Sequence, residues 1–328
     1  MLLLSRSDIK KAITMREAIE ANKKVFQLAV DDKIDSPLRT VMLAKDGNST
    51  FIFMPAYSPD MDAAALKVIN IFPQNIDKGL LSSPAQVMLI DGETGYVSAL
   101  LDGATVTQIR TGASSGAAFD VLAKKDCRKG ALIGTGGMAA MQLAGMVEAR
   151  KLEEVKIFDM NEERCRKFIE VMQEELSEYG TKFIQAKDSD DCIEDADLII
   201  TVTPSPVPVF DGTKVKAGAT ISLVGAYEPH KRELDPAVLP RTSKIFCDLR
   251  DAALAETGDL IIPIADGIIT EDDVLGSLGD VLKGTIAGRE SDDEIIIYDT
   301  VGFAAMDLMA AKVIYDNAVK AGIGTTWE

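Results

Sequence analysis

The feature that most restricts this chain is a short apolar run, Ala131-Leu132-Ile133, that passes directly into Gly134-Thr135-Gly136-Gly137-Met138-Ala139. A G-x-G-x-x-A turn belongs between a buried strand and a helix. Its first glycine makes the sharp turn, its second lets the backbone approach a ligand, and its small last residue lets helix and strand pack closely. The helix N-terminus then offers N–H groups and the positive end of its dipole, which suits a pyrophosphate. Gly134, Gly136, Gly137 and Met138 are therefore candidate cofactor-binding residues.

The surrounding pattern supplies the context that such a turn requires. Val155-Lys156-Ile157-Phe158, Leu198-Ile199-Ile200-Thr201-Val202, Thr220-Ile221-Ser222-Leu223-Val224 and Lys244-Ile245-Phe246-Cys247 are apolar strands separated by helical segments. That alternation specifies an α/β fold with a doubly wound parallel sheet, a Rossmann domain. The strand after the glycine turn ends at Asp159, where an acidic residue binds the adenosine ribose hydroxyls. Asp159 would repel a 2′-phosphate, and Met160-Asn161-Glu162-Glu163 offers no cation to receive one, so NAD is expected and NADP is disfavoured. Arg164 and Arg166, one helical turn on, read as solvated charges on a helix face.

The first third of the chain has a different grammar. Apolar spacing from about residue 8 to residue 30 indicates an amphipathic helical region. Val41-Met42-Leu43, Thr50-Phe51-Ile52-Phe53-Met54, Leu66-Lys67-Val68-Ile69, Gln86-Val87-Met88-Leu89-Ile90 and Tyr96-Val97-Ser98-Ala99-Leu100 are short runs separated by turns, as in an antiparallel sheet. A helix rich in Ala, Gly and Ser follows from about residue 104 to residue 123, and another spans 303–321. Together these indicate a second, α+β domain. Its short apolar strands carry few charges, so a symmetry mate is expected to cover them in a homodimer.

Composition removes several function classes. The net charge of −17, uninterrupted by any basic run, disfavours nucleic acid as a partner. No run of 18 apolar residues occurs, and Leu2-Leu3-Leu4 is followed at once by Arg6, Asp8, Lys10 and Lys11, so neither a membrane span nor a signal peptide is expected and the cytoplasm is the default. Cys127, Cys165, Cys192 and Cys247 are widely spaced, and His230 is the only histidine, so the thiols read as reduced and no metal site is expected.

Beyond the glycine turn, the chain resembles the ornithine cyclodeaminase/mu-crystallin family. The likeness rests on Ser36-Pro37-Leu38-Arg39, Met54-Pro55, Lys67, Gln108-Ile109-Arg110-Thr111-Gly112-Ala113, Thr201-Val202-Thr203, Arg232-Glu233-Leu234-Asp235 and Tyr298-Asp299-Thr300-Val301-Gly302-Phe303, in order along nearly the whole chain. It implies a discontinuous substrate-binding and dimerisation domain, 1–112 plus 303–328, beside an NAD-binding Rossmann domain, 113–302. It further implies that Arg39, Lys67 and Arg110 hold the carboxylate of a small amino or imino acid. Thr111, Thr201, Val202, Thr203, Val301 and Gly302 would join the glycine turn and Asp159 around the cofactor.

An Arg fork and a Lys point charge suit a carboxylate. Lys67 lies inside an apolar strand and Arg110 inside a small-residue helix, positions that disfavour a merely solvated role. Lys67 is also the candidate catalytic proton donor or acceptor at the imine nitrogen, because desolvation and two neighbouring arginines would lower its pKa.

The resemblance implies an NAD-dependent oxidoreductase that exchanges hydride at a carbon–nitrogen bond, as an amino-acid dehydrogenase such as alanine dehydrogenase or as an imine or ketimine reductase. Ornithine cyclodeaminase, which converts L-ornithine to L-proline and ammonia, is the alternative, and a dinucleotide-loaded binding protein is a third reading. Two departures weigh against the cyclodeaminase. Its pattern has a carboxylate two residues before Met-Pro, where this chain has Ile52, and an Asp after Gly-Gly or Gly-Ala, where Tyr227 follows Gly225-Ala226. Tyr227 is accordingly expected at the substrate, Glu228 is a conceivable substitute carboxylate, and His230 reads as a solvent-facing loop residue.

Overall fold

Thr14 decides how the N-terminal helical region is built. Its side chain accepts from the Glu17 backbone while the Glu17 carboxylate accepts from the Thr14 backbone, a reciprocal cap that starts a new helix. In the computed structural model, which describes residues 1–328, this splits the expected single region into α1 (Arg6–Ala12) and α2 (Met15–Val30), preceded by a strand, β1 (Leu2–Leu4). The chain falls into two compact units: Met1–Arg110 with Gly302–Glu328, and Thr111–Val301.

In the first unit, β2 (Thr40–Leu43), β3 (Thr50–Ser58), β4 (Ala63–Ile71), β5 (Ala85–Asp91) and β6 (Val97–Asp102) form an antiparallel meander. The register pairs Met54 with Lys67 and Lys67 with Val87. Side chains alternate across a pleated strand, so Ile52, Met54 and Ala56 share a buried face with Ala63, Ala65 and Lys67. The opposite face exposes Phe51 and Tyr57 and only half buries Leu66, Val68 and Met88. β6 leads into α3 (Gly103–Leu122).

The second unit contains β7 (Lys129–Ile133), α4 (Ala139–Ala149), β8 (Glu154–Phe158), α5 (Glu162–Glu175), β9 (Lys182–Gln185), α6 (Ser189–Ile193), β10 (Leu198–Thr201), β11 (Thr220–Leu223), β12 (Thr242–Cys247), α7 (Arg250–Glu256), α8 (Gly258–Ala265), β13 (Val274–Ser277), α9 (Leu278–Lys283) and β14 (Ile295–Asp299). All eight strands run parallel in the order β13-β12-β14-β11-β10-β7-β8-β9. The connection reverses direction between β7 and β10, and ligands of doubly wound sheets bind at the carboxyl ends of strands beside such a switch point. Gly112 of α3 and Gly145 of α4 let these helices touch backbone to backbone: a Cβ on Gly145 would lie 2.1 Å from the Gly112 carbonyl oxygen.

The chain closes with α10 (Ala304–Ala321) and β15 (Thr325–Thr326). α10 packs on β3, β4 and β5 from the buried side of the meander and also against α2, where Phe26 meets Phe303. β1 and β15 extend the same sheet, β1 parallel to β6 and β15 antiparallel to β1. No helix is long and apolar enough to cross a membrane.

Candidate active site

In the second unit the glycine turn does three separate jobs. Gly134 takes φ +103, and a Cβ there would sit 2.8 Å from the Val202 carbonyl oxygen, so only glycine fits. Gly136 and Gly137 are exposed, and a Cβ on either would meet nothing within 4 Å. The protein's own packing does not require glycine at these two positions; the open space in front of them is what a close-lying phosphate group needs. Met138 precedes α4 with no side-chain cap, leaving that helix end to an anion. The residues present thus fit a dinucleotide.

Asp159 directly follows β8, with 6% of its surface exposed. Its Oδ2 accepts from the Thr135 backbone at 2.8 Å and the Thr135 hydroxyl at 2.7 Å, and its Oδ1 accepts from the Asn161 backbone at 2.8 Å. Burial pushes this carboxyl upward, but the bonds from Asn161, Thr135 and Arg164 outweigh it and hold the group below its usual range. Arg164 corrects the expectation of a merely solvated charge. Its Nη2 donates to both oxygens of Asp159, because α5 begins at Glu162 and its first turn carries residue 164 back over the strand end. Arg166 does remain exposed, paired with Glu163 and Glu170 on its own helix.

Thr201 ends β10, and residues 202–203 follow it. The buried Thr201 hydroxyl has no hydrogen-bond partner, and the Thr203 backbone donates to Glu233 Oε1 at 2.6 Å. The other Glu233 oxygen accepts from the Gly225 backbone at 2.7 Å, so one buried carboxylate fastens the loop after β10 to the loop after β11. Asp259 in turn accepts from the backbone of Glu233 and Leu234. Burial, then the Asp259 charge, pushes the Glu233 carboxyl up to about 7. Glu233 appeared in sequence only as part of a matching motif; its role needed the fold.

The half-buried Tyr227 lies in the second of these loops, with Lys231 Nζ 5.3 Å from its ring centroid. Glu228 is taken up by Lys231 at 2.8 Å, and His230 is exposed. Thr111 and Val301 are buried at the two ends of this unit.

In the first unit two of the three expected cations, Lys67 and Arg110, pair with a fourth residue, Asp307, and the charge of Arg39 acts on Lys67. Lys67 and Asp307 are each 1% exposed, with Nζ 2.6 Å from Oδ2. Arg110 Nε reaches Oδ1 of the same carboxylate at 3.3 Å, and the Arg110 carbonyl accepts from Asn22 Nδ2. Gly302, at φ +71, gives Arg110 its slot: a Cβ there would fall 2.1 Å from Nη1. The Gly302 carbonyl accepts from Arg39 Nη2 at 2.7 Å, so this glycine organises both arginines. Desolvation pulls the Lys67 ammonium down to about 7; Asp307 opposes that, while Arg110 and Arg39 assist it. Two of these cations share one carboxylate with Arg39 nearby, and the surplus positive charge suits an anion. Ile52, on the same sheet face as Met54, brings no charge to it.

The sequence pattern of the ornithine cyclodeaminase/mu-crystallin family matches residues 1–322. The chain belongs to that family. Among its members, a delta(1)-pyrroline-2-carboxylate reductase of Bacillus cereus is 33% identical over 324 residues, 99% of this chain and 98% of that protein. The structure of Thermococcus litoralis delta(1)-pyrroline-2-carboxylate reductase in complex with NADH and L-proline superposes with a TM-score of 0.94 at 35% identity, covering 100% of both chains. An archaeal alanine dehydrogenase dimer with bound NAD superposes with a TM-score of 0.91 at 32% identity, covering 100% of this chain and 99% of that one.

Proposed function

We propose that this chain reduces a small α-imino acid with NADH, and oxidises the corresponding amino acid in the reverse direction. The observation that carries the reading is the buried ammonium of Lys67, which shares a single carboxylate with Arg110 and feels the charge of Arg39 as well. Such a cluster attracts a substrate carboxylate and holds a proton beside it. The names of the relatives, two reductases of a cyclic imino acid and an alanine dehydrogenase, support the same class of substrate.

Arg39 and Arg110 bind the substrate carboxylate through charge-assisted hydrogen bonds. Lys67 adds a third positive charge and carries the proton that the imine nitrogen needs. With its pKa near neutrality, it can give that proton in reduction and recover it in oxidation. Gly134, Gly136, Gly137 and Met138 hold the pyrophosphate, and Asp159 the adenosine ribose. Thr111, Val301, Gly302 and the Thr201–Thr203 segment complete the cofactor site, and Tyr227 contributes to substrate binding. NADH, when bound, supplies the hydride to the imino carbon. The buried surroundings of Lys67 exclude water and strengthen its interactions with charged groups.

The working form is a homodimer in the cytoplasm. The sheet face opposite α10 exposes Phe51 and Tyr57, and β2 exposes Val41, Met42 and Leu43, an apolar surface suited to a second copy. The archaeal alanine dehydrogenase relative is itself a dimer. All four cysteines are free and buried, as suits a reducing compartment. The test of the activity is NADH consumption with delta(1)-pyrroline-2-carboxylate, and with pyruvate plus ammonia. Steady oxidation of NADH supports the reading, and no oxidation with any member of an imino-acid panel contradicts it.

A further inference from the structure

A buried ammonium without a counter-charge gives up its proton, and two neighbouring arginines deepen the effect. Lys67 is fully buried and faces Arg110 of α3 and Arg39 from the segment before β2, while Met54 of β3 and Val87 of β5 flank it with apolar side chains. The one negative group facing it is Asp307, in the first turn of α10, where the helix dipole favours negative charge. Asp307 divides its oxygens, Oδ2 to Lys67 and Oδ1 to Arg110.

We propose that Asp307 is a positioning residue for the reaction: it holds the Lys67 ammonium by one oxygen and Arg110 by the other, so that the lysine keeps its proton until the imine nitrogen takes it and both cations stay aimed at one anion. The inference rests on the reading of Lys67 as the proton source in imine reduction. In that step the C=N bond gains a hydride from NADH, which becomes NAD, and a proton from Lys67 Nζ, which is restored from solvent. Asp307 keeps its charge throughout.

The sign of the pH effect follows from the geometry. Reduction requires protonated Lys67, so kcat/KM falls as pH rises through the lysine's pKa. Asp307→Asn removes the only neighbour that favours the charged form, and the falling limb moves to lower pH. We expect a displacement of about one unit or more, which costs about tenfold in kcat/KM at pH 8 and recovers partly at pH 6. NADH affinity, read by fluorescence titration, should stay within about twofold of wild type. Asp307→Glu keeps the charge and should retain the wild-type limb at a lower kcat.

A limb that stays in place in Asp307→Asn, with activity lost equally at every pH, overturns the proposal. If Asp307→Asn fails to fold, Asp307→Glu decides: a limb displaced downward despite the retained charge also overturns it. Melting temperature supplies a readout that does not depend on turnover. The stabilisation that Asp307 gives a charged Lys67 is full below the pKa the lysine has in Asp307→Asn and is lost as pH rises from that value through the wild-type one. The Tm gap between wild type and Asp307→Asn should therefore narrow from pH 6 to pH 8, and a gap independent of pH contradicts the pairing. A wild type inactive on every imino acid, but with a narrowing gap, contradicts the assigned reaction and leaves the pairing standing.

Discussion

Arg164 Nη2 lies 2.7 Å from Oδ1 and 2.8 Å from Oδ2 of Asp159, the residue just beyond β8 in the nucleotide-binding sheet. With Thr135 and Asn161 also donating, the carboxylate is fully engaged before any ribose hydroxyl reaches it. Arg164 is 57% exposed, so solvent can take its guanidinium when the ribose arrives. The arginine also screens the repulsion that Asp159 would exert on a 2′-phosphate. The chain should prefer NADH, and Arg164→Leu should sharpen that preference by weakening NADPH about fivefold or more while NADH holds or improves. Fluorescence titration of both nucleotides checks this; an unchanged ratio of dissociation constants contradicts it.

Lys67→Met and Arg110→Leu should each lower kcat/KM by about a thousandfold or more, since each removes a charge from the proposed substrate carboxylate site. Both variants leave Asp307 buried with one partner fewer, at a cost of roughly 3–5 kcal/mol, so a lower Tm accompanies the loss. NADH affinity should be largely unaffected, because the glycine turn and Asp159 belong to the other unit. Lost NADH affinity with a normal response to substrate would reverse the assignment.

Glu233 gives stability its own pH signature. Burial raises its carboxyl to about 7, and Asp259 is likewise raised to about 6. A raised carboxyl pKa means that the folded protein binds more protons than the unfolded chain between the two values, so stability falls as pH climbs from about 4.5 to 7. Surface carboxylates with lowered pKa values, such as Asp46 and Asp8, act below this window. Glu233→Gln should flatten the decline of Tm between pH 5 and pH 7, and should raise KM because the Thr203 and Gly225 loops lose their shared acceptor. A slope identical to wild type would contradict it.

Light scattering should give twice the chain mass at micromolar concentration. Val68→Lys, on the sheet face opposite α10, should produce monomers; a dimer undisturbed by that charge would move the interface elsewhere.

Much of the second unit was legible because strands buried on both faces must be continuously apolar and because a tight strand-to-helix turn demands glycine at position 134. β14 is not among the strands read from the sequence, although Ile295-Ile296-Ile297 is such a run. β1 and β15 could not be read, since each is only two or three residues long and pairs with a segment distant in sequence. Three members of the anion site were visible as charges in apolar surroundings or through family likeness. Asp307 was not, although it interrupts the apolar run Ala304-Ala305-Met306-Asp307-Leu308-Met309. Its partner Lys67 is 240 residues away, beyond any spacing rule. The Arg164 pairing joins a strand end to the next helix at a separation of five, which no helical periodicity predicts.

The proposed chemistry is imine reduction without cyclodeamination. L-ornithine carries a second ammonium, and burying that cation unpaired costs several kcal/mol. Ile52 offers it nothing, Tyr227 is a neutral phenol, and Glu228 is already bound to Lys231. The decisive measurement follows NADH absorbance and ammonia release side by side, with delta(1)-pyrroline-2-carboxylate and NADH in one series and L-ornithine with NAD in the other. Steady NADH oxidation is expected in the first and neither proline nor ammonia above background in the second. Ammonia and proline from L-ornithine at a rate comparable to the best imino acid, with flat absorbance, would contradict it.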